Sequence, residues 1–287
     1  MARRWRQAKL LPHVTITEIE KSSPMVMRLS QGQLSLLETC PRKFQHTYLD
    51  QLGSLTPLEQ QERLIWGQQF HLLMQQHELG LPLVSFQDVT APLQQCVQAL
   101  IETAPNLFDS TEALLRQSEH RRTVEFEGYL LTVVYDLLIL EAQRAQILDW
   151  KTYPRPAQSR SLERNWQTRL YPFVLAETTH YRPEDISMTY WFIQGRQDQE
   201  GEGQVKVTPE HLTFHYNTDQ YQRDRQDITH LLSQLTQWQA AQQPFPQVEE
   251  STGYCNQCPF AIRCRRHGTH QNTVNPLTLA DIQEVAL

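Results

Sequence analysis

Three charged side chains in the middle of the chain have the types and spacing of a phosphoryl-transfer site. Asp136 lies in one apolar run, and Asp149 and Lys151 lie at positions i and i+2 of a second apolar run. An aspartate among apolar neighbours is costly unless it is paired or binds a cation. Two carboxylates held together repel unless a cation lies between them, and oxygen ligands suit Mg²⁺ or Mn²⁺. A lysine on the same face could offset negative charge that develops on a phosphate.

Other residues near this group have both a chemical and an ordinary structural explanation. Gln167 and Tyr171 share one face of a predicted helix and could contact a phosphate or a base edge, but such pairs are also common on helix surfaces. His71 lies on a mostly apolar helix, where a histidine is more often a core residue than a metal ligand. The tripeptide Asp149-Trp150-Lys151 also occurs by chance as a strand-edge ion pair, although the upstream Asp136 at hairpin spacing favours a site.

Four cysteines form a second candidate site at the two ends of the chain. Cys255, Cys258 and Cys264 have the spacing C-x2-C-x5-C, and Cys40 lies far upstream. Four thiolates suit zinc, but zinc sites commonly use two close pairs of ligands. One lone cysteine with a triplet favours a [4Fe–4S] cluster, and zinc remains the alternative. Cys96, among apolar neighbours in a predicted helix, is expected to be a buried structural thiol.

Composition limits the class of protein without deciding its partners. The 287 residues are 39% hydrophobic and 20% charged, so the chain can bury a core and is not a disordered segment. The net charge of −6 is a mild argument against nucleic-acid binding, but local basic patches such as residues 155–169 are compatible with it. No apolar run approaches the roughly 20 residues of a membrane helix, and no signal peptide is recognised. We therefore expect a cytoplasmic protein with reduced, metal-bound thiols and no membrane partner.

Hydrophobic periodicity predicts a helix-rich α/β chain. Ser30 is a plausible cap for a first helix that ends near Cys40, and Pro41 begins the next. Further helices are predicted over residues 57–79 and within 88–117. An alternating run begins at Val124, and the other predicted elements are strands at 130–141, 145–151, 186–193 and 208–217 and helices at 162–178 and 219–242. The short link at 142–146 predicts an antiparallel hairpin.

The ordered set of these motifs resembles the PD-(D/E)XK nuclease superfamily, in its RecB-like branch with an iron–sulfur cluster, which includes the AddB nuclease domain and CRISPR-associated exonucleases. The resemblance covers about residues 28–267. The matching segments are the first-helix signature at 29–44, the G-x-x-x-H helix at 67–71, Asp136 with Asp149-Trp150-Lys151, the Q-x-x-x-Y motif at 167–171, and the four cysteines. One departure is Val133, where the family often has a glycine.

The resemblance implies roles for these residues. It implies His71, Asp136 and Asp149 as metal ligands, with the backbone carbonyl of Trp150 as a further ligand. It implies Lys151 as the catalytic lysine. Gln167 and Tyr171 would contact the substrate or orient the lysine. Cys40, Cys255, Cys258 and Cys264 would hold the iron–sulfur cluster.

The predicted fold is therefore a restriction-endonuclease-like core, a small mixed β-sheet flanked by helices, with helical additions closed by the four-cysteine cluster. The expected organisation is a lead-in (1–28), a helical region with Cys40 and His71 (29–120), the nuclease core (121–200), a C-terminal helix with the cluster (201–267) and a tail (268–287).

The expected activity is Mg²⁺- or Mn²⁺-dependent hydrolysis of DNA, from ends of single-stranded DNA, in repair, recombination or CRISPR adaptation. A helicase or a CRISPR integrase would be a fitting partner. The alternative is a non-cleaving iron–sulfur subunit that binds DNA or acts as a scaffold in a nuclease–helicase complex.

Overall fold

The computed structural model describes residues 26–53, 58–81, 91–108, 113–193, 195–197 and 205–266. Residues 1–25 of the predicted lead-in and the whole predicted tail, 268–287, lie outside the described residues. In the described ranges, no helix combines the length and the apolar character that a membrane crossing requires.

Helices and strands alternate along the described chain. The helices are α1 (Gln31–Thr39), α2 (Pro41–Phe44), which continues into a π-helical turn (Gln45–Leu49), α3 (Leu58–Glu78), α4 (Ala91–Thr103), α5 (Pro105–Phe108), α6 (Ser159–Glu163), α7 (Trp166–Thr178) and α8 (Thr218–Ala240). The strands are β1 (Arg28–Leu29), β2 (Leu115–Phe126), β3 (Tyr129–Leu140), β4 (Ala145–Lys151), β5 (Ile186–Phe192), β6 (Gly195–Gln197), β7 (Val205–Val207) and β8 (Glu210–His215).

The main sheet is mixed and contains six strands. Its path is β1-β3-β4-β5-β8, and β2 also pairs with β3. The β2–β3 and β3–β4 pairs are antiparallel, the second as the short link at 142–146 predicts, and β4 runs parallel to β5 through the α6–α7 crossover. Glu127 and Gly128 both have positive φ angles of 50° and 80°, which suits the two-residue turn of a β-hairpin. The prediction of a mixed sheet flanked by helices is confirmed.

Helices cover both faces of this sheet. One apolar cluster joins α1, α7 and α8 to one face of the sheet, with Leu34, Phe173 and Leu232 among its fully buried members. A second cluster joins α3 and α4 to the other face, and Cys96 is a buried member of it. The expectation that Cys96 is a buried thiol is confirmed.

Two strands of the main sheet differ from the sequence expectation. We expected helix up to about residue 117 and an alternating run from Val124, but β2 begins at Leu115. Its first half is polar because it contributes to a part of the sheet that is only half-buried, so apolar alternation is weak there. The lead-in was expected to be irregular, yet Arg28–Leu29 forms β1 and pairs in parallel with Leu130 and Leu131.

Candidate functional site

Asp136 lies at a fork in the sheet. β2 follows one edge of β3 along its whole length, while β1 and β4 share the other edge. Pairing with β4 ends at Leu137 and Leu148, so Asp136 occupies the gap where the two strands separate. The freed backbone N–H of Trp150 donates a hydrogen bond to Asp136 Oδ2 at 2.6 Å. The Asp136 side chain therefore replaces a ladder hydrogen bond, which satisfies one of its oxygens in a buried position.

Asp149 and Lys151 form a buried ion pair on the next strand. Their side chains point to the same face of β4, and Lys151 Nζ lies 2.7 Å from Asp149 Oδ2. Asp149 is fully buried and Lys151 is 3% exposed. Gln167 donates from Nε2 to Asp149 Oδ1 at 2.6 Å. The carboxylate is thus held by one charged and one neutral donor, which is the arrangement a buried charge requires.

Helix α7 brings Gln167 to this carboxylate. Asn165 caps the helix by accepting a hydrogen bond from the Gln167 backbone N–H at 2.9 Å. One turn later, Tyr171 is buried and its ring meets that of Tyr135 edge-on, with 5.4 Å between centroids. The Tyr135 hydroxyl donates to the Tyr171 backbone carbonyl at 3.0 Å. Tyr171 therefore anchors the helix that carries Gln167.

The Lys151 ammonium also lies over an aromatic ring. Its Nζ is 5.5 Å from the centroid of Tyr190, within the range of a cation–π contact. The Tyr190 hydroxyl hydrogen-bonds with Thr168 Oγ1 at 2.8 Å. Burial, and then the negative charge of Asp149, raise the pKa of Tyr190 well above its usual value. Tyr190 is consequently uncharged, and its ring contacts the Lys151 ammonium and fixes its position.

His71 lies on α3, which covers the face of the sheet opposite to α7, and its side chain reaches the fork. Its Nδ1 lies 3.3 Å from Asp136 Oδ1, and its Nε2 lies 3.2 Å from the carbonyl oxygen of Trp150. A carbonyl oxygen only accepts, so Nε2 carries the proton and donates. His71 thus connects the two halves of the fork, Asp136 and the backbone of Trp150.

The structure adds Glu119, a residue that the sequence analysis missed. Its Oε1 is 3.9 Å from His71 Nδ1. Within the described part of the chain, His71, Glu119 and Asp136 form the one group of three metal-type ligands whose atoms lie within 4.8 Å of one another. Glu119 belongs to no motif, and the only signal that could have found it is the β2–β3 register, which sets it opposite Asp136.

Comparison with known proteins agrees with this geometry. The family model described as the PD-(D/E)XK nuclease superfamily matches residues 28–265, most of the chain. The chain belongs to the PD-(D/E)XK nuclease superfamily. Members are nucleases that use divalent metals, and the His71, Asp136 and Glu119 group supplies donor atoms of the matching kind.

Solved structures show a similar fold at low sequence identity. The crystal structure at 2.19 Å resolution of a predicted exonuclease from Eubacterium rectale has a TM-score of 0.53 and 11% identity. The match covers 95% of this chain and 98% of that chain. The protein SSO0001 matches with a TM-score of 0.35 and 11% identity over 83% of this chain and 85% of that one, which is too weak to carry an argument. No curated protein matches the nuclease in sequence.

The four predicted cluster cysteines of this nuclease line one small pocket. Cys40, Cys255, Cys258 and Cys264 surround it together with Phe260 and other residues. All five cysteines of the chain are described, and none forms a disulfide. No three of the described sulfur atoms lie within 4.8 Å of one another. Sulfur ligands of one tetrahedral zinc ion would lie about 3.8 Å apart, from a Zn–S bond of about 2.3 Å. No three of the described sulfur atoms are thus placed as ligands of a single zinc ion.

Electrostatics in this pocket disfavour bare thiolates. Burial, followed by the nearby Cys258 thiolate, raises the pKa of Cys264. The pKa of Cys255 is also raised, mainly by burial, although Arg266 opposes the shift. A positively charged group in the pocket would relieve both the desolvation and the mutual repulsion.

Hydrogen bonds hold two segments that are distant in sequence together around the pocket. Arg42 donates from Nε to the carbonyl of Phe245 at 2.6 Å, and Gln45 accepts from the Phe245 backbone N–H at 2.9 Å. His46, which sequence reasoning did not select, is buried with its Nε2 3.9 Å from Cys264 Sγ and its Nδ1 2.8 Å from Asp50 Oδ2. These contacts join α2 and the π-helical turn to the C-terminal segment.

Proposed function

We propose that this nuclease is a metal-dependent deoxyribonuclease that acts on ends of single-stranded DNA. The observation that carries the proposal is the convergence of His71, Asp136, Asp149 and Lys151 on one fork of the sheet, from elements far apart in sequence. These are the residues whose roles the family resemblance implies. A structural ion pair alone would need neither the histidine nor the second aspartate.

The donors present at the fork suit a divalent cation. His71 Nδ1 and Asp136 Oδ1 lie 3.3 Å apart, a spacing typical of neighbouring ligands. The family resemblance adds Asp149 and the Trp150 carbonyl to the proposed ligand set, and in the present structure that carbonyl accepts a hydrogen bond from His71 Nε2. This set of oxygens with one imidazole fits Mg²⁺ or Mn²⁺. A cation bound there would polarise the scissile phosphate and lower the pKa of the attacking water.

The side chains of the chain itself prepare the site for an anionic substrate. Lys151 pairs with Asp149 at 2.7 Å and lies over the Tyr190 ring, so its ammonium is held in place to offset negative charge on a phosphate oxygen. Gln167 keeps Asp149 in place through its 2.6 Å hydrogen bond. Tyr171 fixes α7, and thereby Gln167, by packing against Tyr135. In this proposal Gln167 and Tyr171 act as positioning residues.

The preference for DNA ends rests on the resemblance and on the description of the Eubacterium rectale protein as a predicted exonuclease. It is tested with linear and circular single-stranded DNA of equal length, each with Mn²⁺ or chelator and beside the Asp149→Ala variant. We expect the linear strand to be degraded and the circle to survive. Degradation of the circle at the same rate would refute an exonuclease.

We further propose that Cys40, Cys255, Cys258 and Cys264 hold a [4Fe–4S] cluster. Support comes from their common pocket and from the sequence spacing of one distant cysteine with a C-x2-C-x5-C triplet. In such a cluster each cysteine binds a different iron, so the sulfurs lie further apart than around zinc. Iron and zinc contents of anaerobically purified protein test this proposal. A colourless preparation with stoichiometric zinc would refute it.

The pathway and partners are proposed at the level of the family resemblance. We propose a cytoplasmic role in DNA repair, recombination or CRISPR adaptation, beside a helicase or a CRISPR integrase. The non-cleaving alternative predicts that folded, cluster-loaded protein binds single-stranded DNA but never cleaves it with Mg²⁺ or Mn²⁺.

A further inference from the structure

Glu119 occupies an unusual position in the sheet. It lies on β2 opposite Asp136, between the paired positions Ser118–Leu137 and His120–Tyr135. Its own φ angle is +49°, in the left-handed region that favours glycine and disfavours a residue with a side chain. The strand is therefore kinked at this residue alone within β2, and the kink coincides with the fork that holds Asp136.

The kink directs the Glu119 carboxylate towards His71. The Oε1 atom lies 3.9 Å from His71 Nδ1, and Asp136 Oδ1 lies 3.3 Å from the same nitrogen. Ligands about 2.1 Å from one octahedral cation are about 3.0 Å apart at right angles and about 4.2 Å apart when opposed. Both distances fall within this range. The three side chains come from α3, β2 and β3, so rigid elements fix their relative positions.

The hydrogen bond on the other side of the imidazole supports a ligand role. His71 Nε2 donates to the Trp150 carbonyl at 3.2 Å, which orients the ring so that Nδ1 faces the carboxylates of Glu119 and Asp136. A divalent cation between Nδ1 and these two carboxylates would offset the negative charge of both. Metal-binding histidines commonly donate their second ring N–H to a backbone carbonyl in this way.

We propose that Glu119 is a ligand of the divalent cation, in addition to the residues of the family motif. This inference rests on the proposed function, because it concerns the same cation. Glu119 would supply a carboxylate ligand on the side of the site that α3 and β2 form. Asp149 lies on the other side, where it also pairs with Lys151. One imidazole with two carboxylates suits Mn²⁺ better than Mg²⁺, which usually keeps several waters.

The test measures cation binding and not activity. Full-length, anaerobically purified protein without DNA is titrated with Mn²⁺ in a calorimeter, beside Glu119→Gln and the control Glu125→Gln. Glu125 is an exposed carboxylate six residues further along the same strand, so its variant removes the same charge away from the fork. We expect Glu119→Gln to raise the Kd for Mn²⁺ at least tenfold and Glu125→Gln to change it less than twofold.

A glutamine at 119 could still hydrogen-bond to His71, so unchanged affinity would mean that Glu119 only orients the imidazole, and would overturn the proposal. Glu119→Gly tests the same point in a variant that relieves the positive φ angle and so folds readily. It must lose affinity to the same extent. Wild-type protein that binds no Mn²⁺ would also overturn the proposal.

The outcomes separate this inference from the proposed function. Loss of Mn²⁺ affinity in both Glu119 variants, in a protein that cleaves no DNA, would support the ligand and refute the nuclease. DNA cleavage with unaltered Mn²⁺ affinity in both variants would refute the ligand alone.

Discussion

Replacing Lys151 with methionine should destabilise the protein far more than replacing both members of its ion pair. Methionine has a similar length, so packing is largely kept, but Asp149 loses its charged partner while it stays fully buried and keeps its hydrogen bond from Gln167. Removal of one partner of a buried ion pair costs about 3–5 kcal/mol, because the other charge is left uncompensated. The double variant Asp149→Asn/Lys151→Met removes both charges and should cost at most about 1 kcal/mol.

The expected change in melting temperature follows from chain length. Unfolding entropy near 60 °C is about 2.1 cal/mol/K per residue, so 287 residues give about 600 cal/mol/K and about 1.7 °C per kcal/mol. Lys151→Met should therefore lower the melting temperature by about 5–8 °C, and the double variant by about 2 °C or less.

Calorimetric or circular-dichroism melting curves, with a cleavage assay on the same samples, measure this difference. We expect both variants to lose cleavage, while the double variant regains stability. A Lys151→Met protein as stable as the wild type, or a double variant no more stable than the single one, would refute a buried ion pair at the centre of the site.

Three further predictions concern the kinked strand and the cysteine pocket. Glu119→Gly should raise the metal-free unfolding free energy by about 1 kcal/mol in urea titrations, since glycine accepts a positive φ; an unstable variant would contradict this. Cys258→Ala should lower iron content and soluble yield, whereas Cys96→Ala, which removes a buried thiol elsewhere, should keep its iron; equal iron in both would count against the cluster. Cluster-free protein should lose stability as the pH rises past about 9. The pKa values of the Cys255 and Cys264 thiols are raised in the folded protein, so these thiols stabilise the fold at a pH below their unfolded pKa. This stabilisation is lost as the pH rises through the folded pKa. A melting temperature that is constant from pH 7 to pH 10 would contradict the last prediction.

Long apolar runs made the centre of the fold predictable. The strands expected at 130–141, 145–151 and 186–193 correspond to β3, β4 and β5 within two residues at each end, because they are buried from both sides by helices. The short link before Ala145 predicted the antiparallel pairing. By contrast, β1 is two residues long and depends on a partner more than 100 residues away, so no local pattern announces it.

The site was predictable where residue chemistry and motif agreed. Asp149 and Lys151 are at i and i+2 of an apolar strand, and their common face follows from the pleat. His71 needed the family resemblance, because a histidine on an apolar helix has many explanations. Glu119 could not be found, since its role depends on the β2–β3 register and on one backbone angle.

The most direct test of the nuclease is cleavage of end-labelled single-stranded DNA by anaerobically purified protein, with Mn²⁺ or with chelator, beside Asp136→Asn. The control Asp185→Asn changes an aspartate in an exposed ion pair with Arg182, away from the fork. We predict Mn²⁺-dependent cleavage by the wild type and by Asp185→Asn, and none by a folded Asp136→Asn protein. Absence of cleavage by folded, iron-loaded wild-type protein, or equal cleavage by Asp136→Asn, would contradict the proposed nuclease activity.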